Sequence, residues 1–467
     1  MASDTLHSID IPTPELRFTW SNLGHGLHLP AEIIGSIIWF LQDDKGALAA
    51  CNLVSYSWHA ESEPRLFHTL FVKVTSNDVP TNETRWDRSA ARSWSEFTSF
   101  LRSAPSAAAA VRRLTILGGT RQAEEIIPMV PFRDPMDFNR GNFGGNTYRV
   151  RPVSWLILDN EMVVSALAML PRLAHLALRY TTLSRGPIAV QKAEENFPVA
   201  QHQFHLESLY AHLCGTNEDF ADNFAAFLRL FAGLDTLQID TSKTAGPYSL
   251  PRVPVGWTAQ SLPTRVRNLH IGSQFSELNH LAIAVLLGLA EPIVSLEIHT
   301  QKSSPPLYLY EPAAPNAGIQ THTRLLRMHE HALETLVVSP AELLYDQARL
   351  RELGVAVSSC AKLQSLHVHL TVPTGISNHL FESFMDNLAS PSITKLQLDF
   401  CPDQRYRPVG GHSLQEALAR LPQLRKLTLG FSRFSNSVAE QLENDLRTLL
   451  QQRIERGGLD VEFVPVV

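Results

Sequence analysis

One short unit recurs along most of this 467-residue chain: an apolar residue, two variable residues, a leucine, one variable residue and a second apolar residue. Copies stand at Val111-Leu114-Ile116, Val153-Leu156-Leu158, Leu173-Leu176-Leu178, Leu206-Leu209, Leu234-Leu237-Ile239, Val266-Leu269-Ile271, Ile293-Leu296-Ile298 and Leu333-Leu336-Val338. Three more, Leu363-Leu366-Val368, Ile393-Leu396-Leu398 and Leu424-Leu427-Leu429, keep a step of 30 or 31 residues, whereas the steps before Leu366 vary widely. Residues two apart on a strand point to the same side, so each copy is a strand that buries one face. A unit of this size cannot cover that face alone, and repetition lets each copy cover the next.

Amphipathic stretches separate several copies: Asp219 to Leu230, Leu278 to Leu289, Leu343 to Val357, His379 to Leu388, Leu414 to Leu421 and Val438 to Ile454. A short strand followed by a helix, repeated, predicts an α/β chain with a parallel sheet inside and helices outside. The pattern is that of an irregular leucine-rich-repeat solenoid. In such repeats an asparagine or cysteine follows the last apolar position by three residues. Here that place holds Cys214 and Cys401, and elsewhere Thr181, Ser242, Thr371 or Ser432. These cysteines are expected to be buried ladder residues, not nucleophiles.

The region before the array has a different pattern. Pro30 after Leu29 marks a helix start, since proline loses nothing where the amide has no intrahelical partner. Ile33, Ile34, Ile37, Ile38, Phe40 and Leu41 then recur at helical spacing. Gln42 to Gly46 is a polar turn, and a second run carries Leu48, Cys51, Leu53 and Val54 towards Trp58. Pro64 is expected to break the helix before Leu66-Phe67. About forty residues cannot bury enough apolar surface to stand alone, so part of this stripe should meet a partner.

In order, Leu29-Pro30, Glu32-Ile33-Ile34, Ile37, Leu41, Asp44, Leu53-Val54-Ser55, Trp58, Pro64 and Leu66-Phe67 resemble an F-box, over about a tenth of the chain. Tyr56-Ser57 stands where the family has a basic residue before the tryptophan. The resemblance implies a Skp-type adaptor and the core of a cullin ubiquitin ligase as partners. It also implies adaptor contacts at Leu29, Pro30, Ile33, Ile34, Ile37, Leu41, Leu53, Val54, Trp58 and Phe67. Phe67-Leu70-Val72 continues the repeat spacing, so Leu70 to Val74 is the expected first strand. A helix at Ser93 to Leu101, with Trp94, Phe97 and Leu101 on one face, would complete that first repeat. Three segments follow: a tail over 1–26, a helical docking module over 27–69 and a substrate-binding array over 70–467.

The net charge of −6 gives no basic surface for nucleic acid. Leu281 to Ala290 is too short to span a bilayer. The first residues lack the charged start and apolar block of a secretory leader. Four cysteines with no C-x-x-C pair argue against structural zinc or a disulfide framework. A cytoplasmic or nuclear protein is expected. Glu124 to Arg151, Lys302 to Gln320 and Ala245 to Thr264 are expected loops.

Phosphate-loop, nucleophile-elbow and H-E-x-x-H motifs are absent from the sequence, so neither catalytic residues nor cofactors are expected. His329-Glu330-His331 is expected to be a solvated helix end, and no metal site is assigned. The residues flanking the last two apolar positions should face the concave side: Trp155, Asp159, His175, Arg179, Tyr210, His212, Asp240, His270, Glu297, His299, His367, His369 and Asp399. His367 and His369 share a face about 6.7 Å apart at ordinary strand rise. This histidine-rich surface is the expected grip on a protein substrate, and the whole chain is expected to be a substrate receptor without catalysis of its own. The alternative is a non-ligase scaffold whose helical module caps the array.

Overall fold

The computed structural model describes residues 29–75, 92–125, 148–184, 204–215, 220–243, 262–272, 282–299, 317–339, 347–371, 387–401, 416–431 and 444–465, apart from positions 155, 284, 290, 389, 391, 417, 445, 446, 449, 452, 453, 456 and 457. The expected tail, residues 379–386 of the helix expected at His379 to Leu388, and most of the loops expected at Lys302 to Gln320 and Ala245 to Thr264 lie outside these residues. The chain divides into two compact units, Met1–Leu66 and Phe67–Val467.

In the first unit, α1 (Ala31–Phe40), α2 (Lys45–Cys51) and α3 (Tyr56–Leu66) follow one another closely. Pro30 sits at the N-cap of α1, and its carbonyl accepts from the amides of Ile33 and Ile34. Asp44 caps α2 by accepting from the Ala47 amide at 2.9 Å. Lys45 Nζ reaches the other end of the unit and donates to the carbonyls of Arg65 and Leu66, the last of α3. Ile34, Ile38 and Leu48 form the buried centre, with Leu41, Cys51, Trp58 and Leu66 packed around it. Pro64 does not break the helix where the sequence suggested. It lies in the final turn of α3, where the carbonyl it leaves unpaired costs little, and the helix runs on to Leu66. Leu53 and Val54 lie in the turn between α2 and α3, not in a helix.

The second unit holds β1 (Thr69–Thr75), β2 (Arg92–Ser93), α4 (Trp94–Ser103), α5 (Pro105–Ala110), β3 (Arg113–Leu117), β4 (Gly119–Glu125), β5 (Tyr148–Ser154), β6 (Leu156–Asp159), α6 (Asn160–Ala168), β7 (His175–Ser184), β8 (Phe204–Gly215), α7 (Phe220–Leu228) and β9 (Phe231–Lys243). It continues with β10 (Arg265–Ile271), β11 (Ser295–His299), α8 (Ala317–His329), β12 (Thr335–Ser339), α9 (Gln347–Ser358), β13 (Ser365–Thr371), β14 (Lys395–Cys401), β15 (Lys426–Phe431) and β16 (Asp460–Pro465). The fold is mixed α/β. All these strands except β4 and β5 form one 14-stranded sheet in the order β2-β1-β3-β7-β8 and onward in sequence to β16, with β6 beside β7. Every pairing in it is parallel.

The repeated leucine fixes the register. Leu114, Leu176, Leu209, Leu237, Leu269, Leu296, Leu336, Leu366, Leu396 and Leu427 are partners across successive strands. All ten are buried, and they share one core with Trp94, Phe97 and Leu101 of α4, Val163 of α6, Phe224 and Phe227 of α7, and Leu353 and Val357 of α9. Ser93 and Glu96 start α4 with a reciprocal capping box, which explains why that helix begins where its apolar face does. Among the described residues no helix is long and apolar enough to cross a membrane.

The structure departs from the sequence reading at the Val153-Leu156-Leu158 copy. It is not a separate repeat. The β3 strand pairs with the first half of β7 (Arg113↔His175 to Leu117↔Arg179), and β6 pairs with the second half (Leu156↔Thr181 to Asp159↔Ser184). Together β3 and β6 make one interrupted row, joined where the Gly118 amide donates to Arg179 and the Gly118 carbonyl accepts from Leu156. The expected loop over Glu124 to Arg151 holds the ends of an antiparallel β4–β5 hairpin inserted at this break. A Cβ on Gly118 would stand 2.6 Å from Leu156 Cβ, so only glycine lets the two halves meet.

A bulge at the same level takes up the mismatch. The β7–β8 register shifts between Arg179 and Thr181, and Tyr180 between them has φ 55°. The extra residue moves the ladder, so Thr182, not Thr181, pairs with Cys214 and Ser242 lies beyond it. Burial pushes the Cys214 thiol up to about 12, which leaves it an inert core thiol.

His329, expected in solvent, is buried. Its Nδ1 accepts from the Ile293 amide at 3.3 Å, and its Nε2 has no partner. Burial, with help from the neighbouring His331, lowers its pKa from 6.5 to about 4. The folded state therefore favours neutral imidazole. The stability this gives is intact above pH 6.5 and is lost as pH falls towards 4. Urea unfolding across that range should show the wild type losing on the order of 3 kcal/mol relative to His329→Gln, which cannot titrate.

Candidate binding face

The sheet face turned away from the core carries the residues between and after the repeated apolar pairs. One row across it reads Ala177, Tyr210, Gln238, His270, Glu297, Val337, His367, Gln397 and Thr428. The next row aligns Arg179, His212 and Asp240 in one stretch, and His369, Asp399 and Gly430 in another. His299 occupies this row on β11, opposite Ser339. Sequence spacing placed these residues on one face correctly. Trp155 lies outside the described residues. Asp159 is committed elsewhere: it caps α6, accepting from the Met162 amide at 2.7 Å.

The side chains gather into separate groups. His175 Nδ1 lies 2.8 Å from Ser208 Oγ and its Nε2 lies 3.4 Å from Glu207. His270 Nδ1 lies 2.5 Å from Glu297 Oε2. Around Asp240, Tyr210 donates its hydroxyl to Oδ2 at 2.8 Å, and the Arg179 guanidinium sits 5.6 Å from the Tyr210 ring centre, within cation–π range. Burial first, then the Asp240 charge and hydrogen bond, push the Tyr210 phenol well above its usual value. His212 is not on offer to a partner as expected. It is 3% exposed, and its ring lies 4.4 Å from that of Tyr180, which the bulge carries over it.

The tightest group is on β13 and β14. Asp399 Oδ2 lies 2.6 Å from His367 Nε2 and 2.7 Å from His369 Nδ1, and Oδ1 accepts from Gln397 Nε2 at 3.0 Å. The two imidazole centres are 3.9 Å apart, closer than the strand spacing alone would bring them, because both rings lean onto the carboxylate. Burial by itself would raise the Asp399 pKa. Hydrogen bonds from His367, His369 and Gln397 outweigh it and hold the carboxyl well below the usual carboxylate range. Gln397 was missed in the sequence although it occupies the same kind of position as His367. A rule that counted outward residues whatever their charge would have found it.

These two groups occupy matching positions in their repeats. Tyr210 and His212 on β8 stand to Gln238 and Asp240 on β9 as His367 and His369 on β13 stand to Gln397 and Asp399 on β14. A glycine stands beside each aspartate: Gly430 is the register partner of Asp399 on β15, and Gly272 follows the end of β10. A Cβ on Gly272 would overlap the Asp240 carboxylate.

On the first unit, Leu29, Ile33, Leu53 and Val54 are exposed, as are Trp39, Phe40 and Tyr56, which the resemblance did not mark. Ile37 is half-buried; Phe67, which belongs to the second unit, is also half-buried, with its ring 6.3 Å from that of Phe100. Ile34 is buried in the centre of the helices, and Leu41 and Trp58, partly buried, pack against it. One helix thus has two apolar stripes: Ile34, Ile38 and Leu41 inside, and Ile33, Ile37 and Phe40 outside.

The Gly272 contact gives a test of the Asp240 group. Gly272→Ala should cost about 1–3 kcal/mol by forcing the carboxylate off Tyr210. Combined with Asp240→Ala it should cost less than the two changes summed, because the clash is then gone. Chemical denaturation of the single and double variants measures the difference.

No protein-family model matches this chain, and no curated protein matches it.

Proposed function

We propose that this chain is the substrate-receptor subunit of an SCF-type cullin ubiquitin ligase. The helical unit docks a Skp-type adaptor, and the polar sheet face, read as the concave side of a leucine-rich-repeat solenoid, holds a protein substrate. The outward stripe of α1 carries this reading. Ile33 is 47% exposed and Phe40 78%, while Leu53 in the following turn is 86% exposed. Large apolar groups left in water on so small a unit are surface that a partner would cover. The sequential order of the sheet and its in-register leucines support the solenoid reading. The chain would perform no chemistry itself.

The residues divide cleanly for a test. Ile33→Asp with Leu53→Asp changes only exposed groups, so the unit should keep its helical circular dichroism. Capture of a purified Skp-type adaptor should then be lost, each buried anchor being worth about 2 kcal/mol or more. Ile34→Asp should instead unfold the unit. Capture that survives the double change, or a wild-type chain that captures no adaptor, would leave the protein-binding scaffold as the better reading. For the sheet face, replacing His270, His299, His367 and His369 by Ala should reduce substrate recovered by affinity capture. Unchanged recovery would remove the histidines from the substrate contact.

A further inference from the structure

The His367, His369 and Asp399 side chains bring three prospective metal-ligand atoms together on one face of the sheet. We propose that these three side chains form a binding site for a divalent transition-metal ion of the zinc type, with Gln397 positioning the carboxylate. The proposal is independent of the ubiquitin-ligase reading.

The donor set is the first ground. Two neutral imidazoles and a carboxylate are the nitrogen and oxygen ligands that zinc and its first-row neighbours accept. The strand supplies the spacing. Residues two apart on β13 project from the same face, and Asp399 is the register partner of His369 on β14. The three prospective ligand atoms all lie within 4.8 Å of one another. A zinc ion sits about 2.0–2.2 Å from such atoms. An ion entering between His367 Nε2, His369 Nδ1 and Asp399 Oδ2 would take the place of the hydrogen-bonding protons that those atoms now share; each imidazole stays neutral by carrying its one proton on the other ring nitrogen, and only a second proton, where a ring holds one, leaves to solvent.

The second ground is the outer support. A metal-binding carboxylate is normally held by a hydrogen bond on its other oxygen. Asp399 has this arrangement: Gln397 Nε2 holds Oδ1, while Oδ2 faces both imidazoles. Access is also asymmetric in the useful sense. The Asp399 side chain is 7% exposed, whereas His367 and His369 are 22% and 23% exposed, so the group is rooted in the sheet but open on one side. Three protein ligands with an open side leave a coordination position for water or an incoming carboxylate.

The matching group on β8 and β9 supplies an internal control. Tyr210 replaces the first imidazole there, and the His212 ring lies against Tyr180. The same backbone frame thus occurs once with a ligand set and once without.

The test uses the full chain without a histidine tag, stripped with chelator and titrated with zinc against a competing chromophoric chelator. Cobalt absorption in the visible range reports the coordination. The expected result is one tightly held zinc per chain, lost in His367→Gln, in His369→Gln and in Asp399→Asn, and retained in Asp240→Asn. Gln397→Ala should weaken binding by about 10–100-fold without removing it. If Asp399→Asn fails to fold by circular dichroism, the two half-exposed histidine variants decide. Saturable zinc binding that persists in both of them, or a wild type that binds none at micromolar concentration, overturns the proposal.

Discussion

Each strand of the large sheet gives one side to an apolar row that its neighbours continue, and the second unit depends on that continuity. A leucine such as Leu366 is covered along the sheet by Leu336 and Leu396 at the same register, and from the side by the helix-borne part of the core. Burying such a side chain contributes about 1.5–3 kcal/mol. A one-residue slip of any strand would turn its apolar pair to the polar face and bring polar groups into the core, so register is specified strand by strand. The ends of the array are managed differently. At one end the two-residue β2 pairs with Val74 and Thr75 of β1, and at the other β16 carries Asp460 and Glu462, the latter paired with Lys426 at 2.6 Å.

This explains which parts of the fold could be read from sequence. Periodicity identifies strands because burial imposes it, and from Leu173 onward every copy lies on a strand in the expected order. It cannot tell a new strand from a resumed one. Leu156 and Leu158 show the same alternation as Leu114 and Ile116 because both pairs lie on the same row, separated by an inserted hairpin. Nor can it see a bulge. Tyr180 reads as one more residue of β7, and the slip it introduces displaces the ladder residue from Thr181 to Thr182. Pro64 misled for a related reason. A local rule predicts a break, but a proline in the last turn has almost no helix left to interrupt.

The polar face was legible as a list of positions but not as groups. Strand alternation puts His367, His369 and Asp399 on one surface. That they converge on one carboxylate depends on cross-strand register, which a single sequence does not display. Burial inverted two expectations. Alternation predicts His212 and Asp399 on the open face, yet both are buried, His212 against the Tyr180 ring and Asp399 among His367, His369 and Gln397. The polar run at His329 predicts a solvated helix end, yet the ring lies inside and accepts from the buried Ile293 amide.

The repeated placement of Asp240 and Asp399 shows how such an array can hold buried carboxylates at all. A carboxylate removed from water is costly unless donors replace the water. Each aspartate has a donor two residues along the preceding strand's row, Tyr210 or His367, and an open glycine position on the following strand. At Gly272 the missing side chain leaves room for the Asp240 carboxylate, which an added Cβ would overlap. The constraint therefore links three successive strands. The identity of the donors differs between the two groups. A phenol serves in one place and two imidazoles in another, with different chemistry on the same frame.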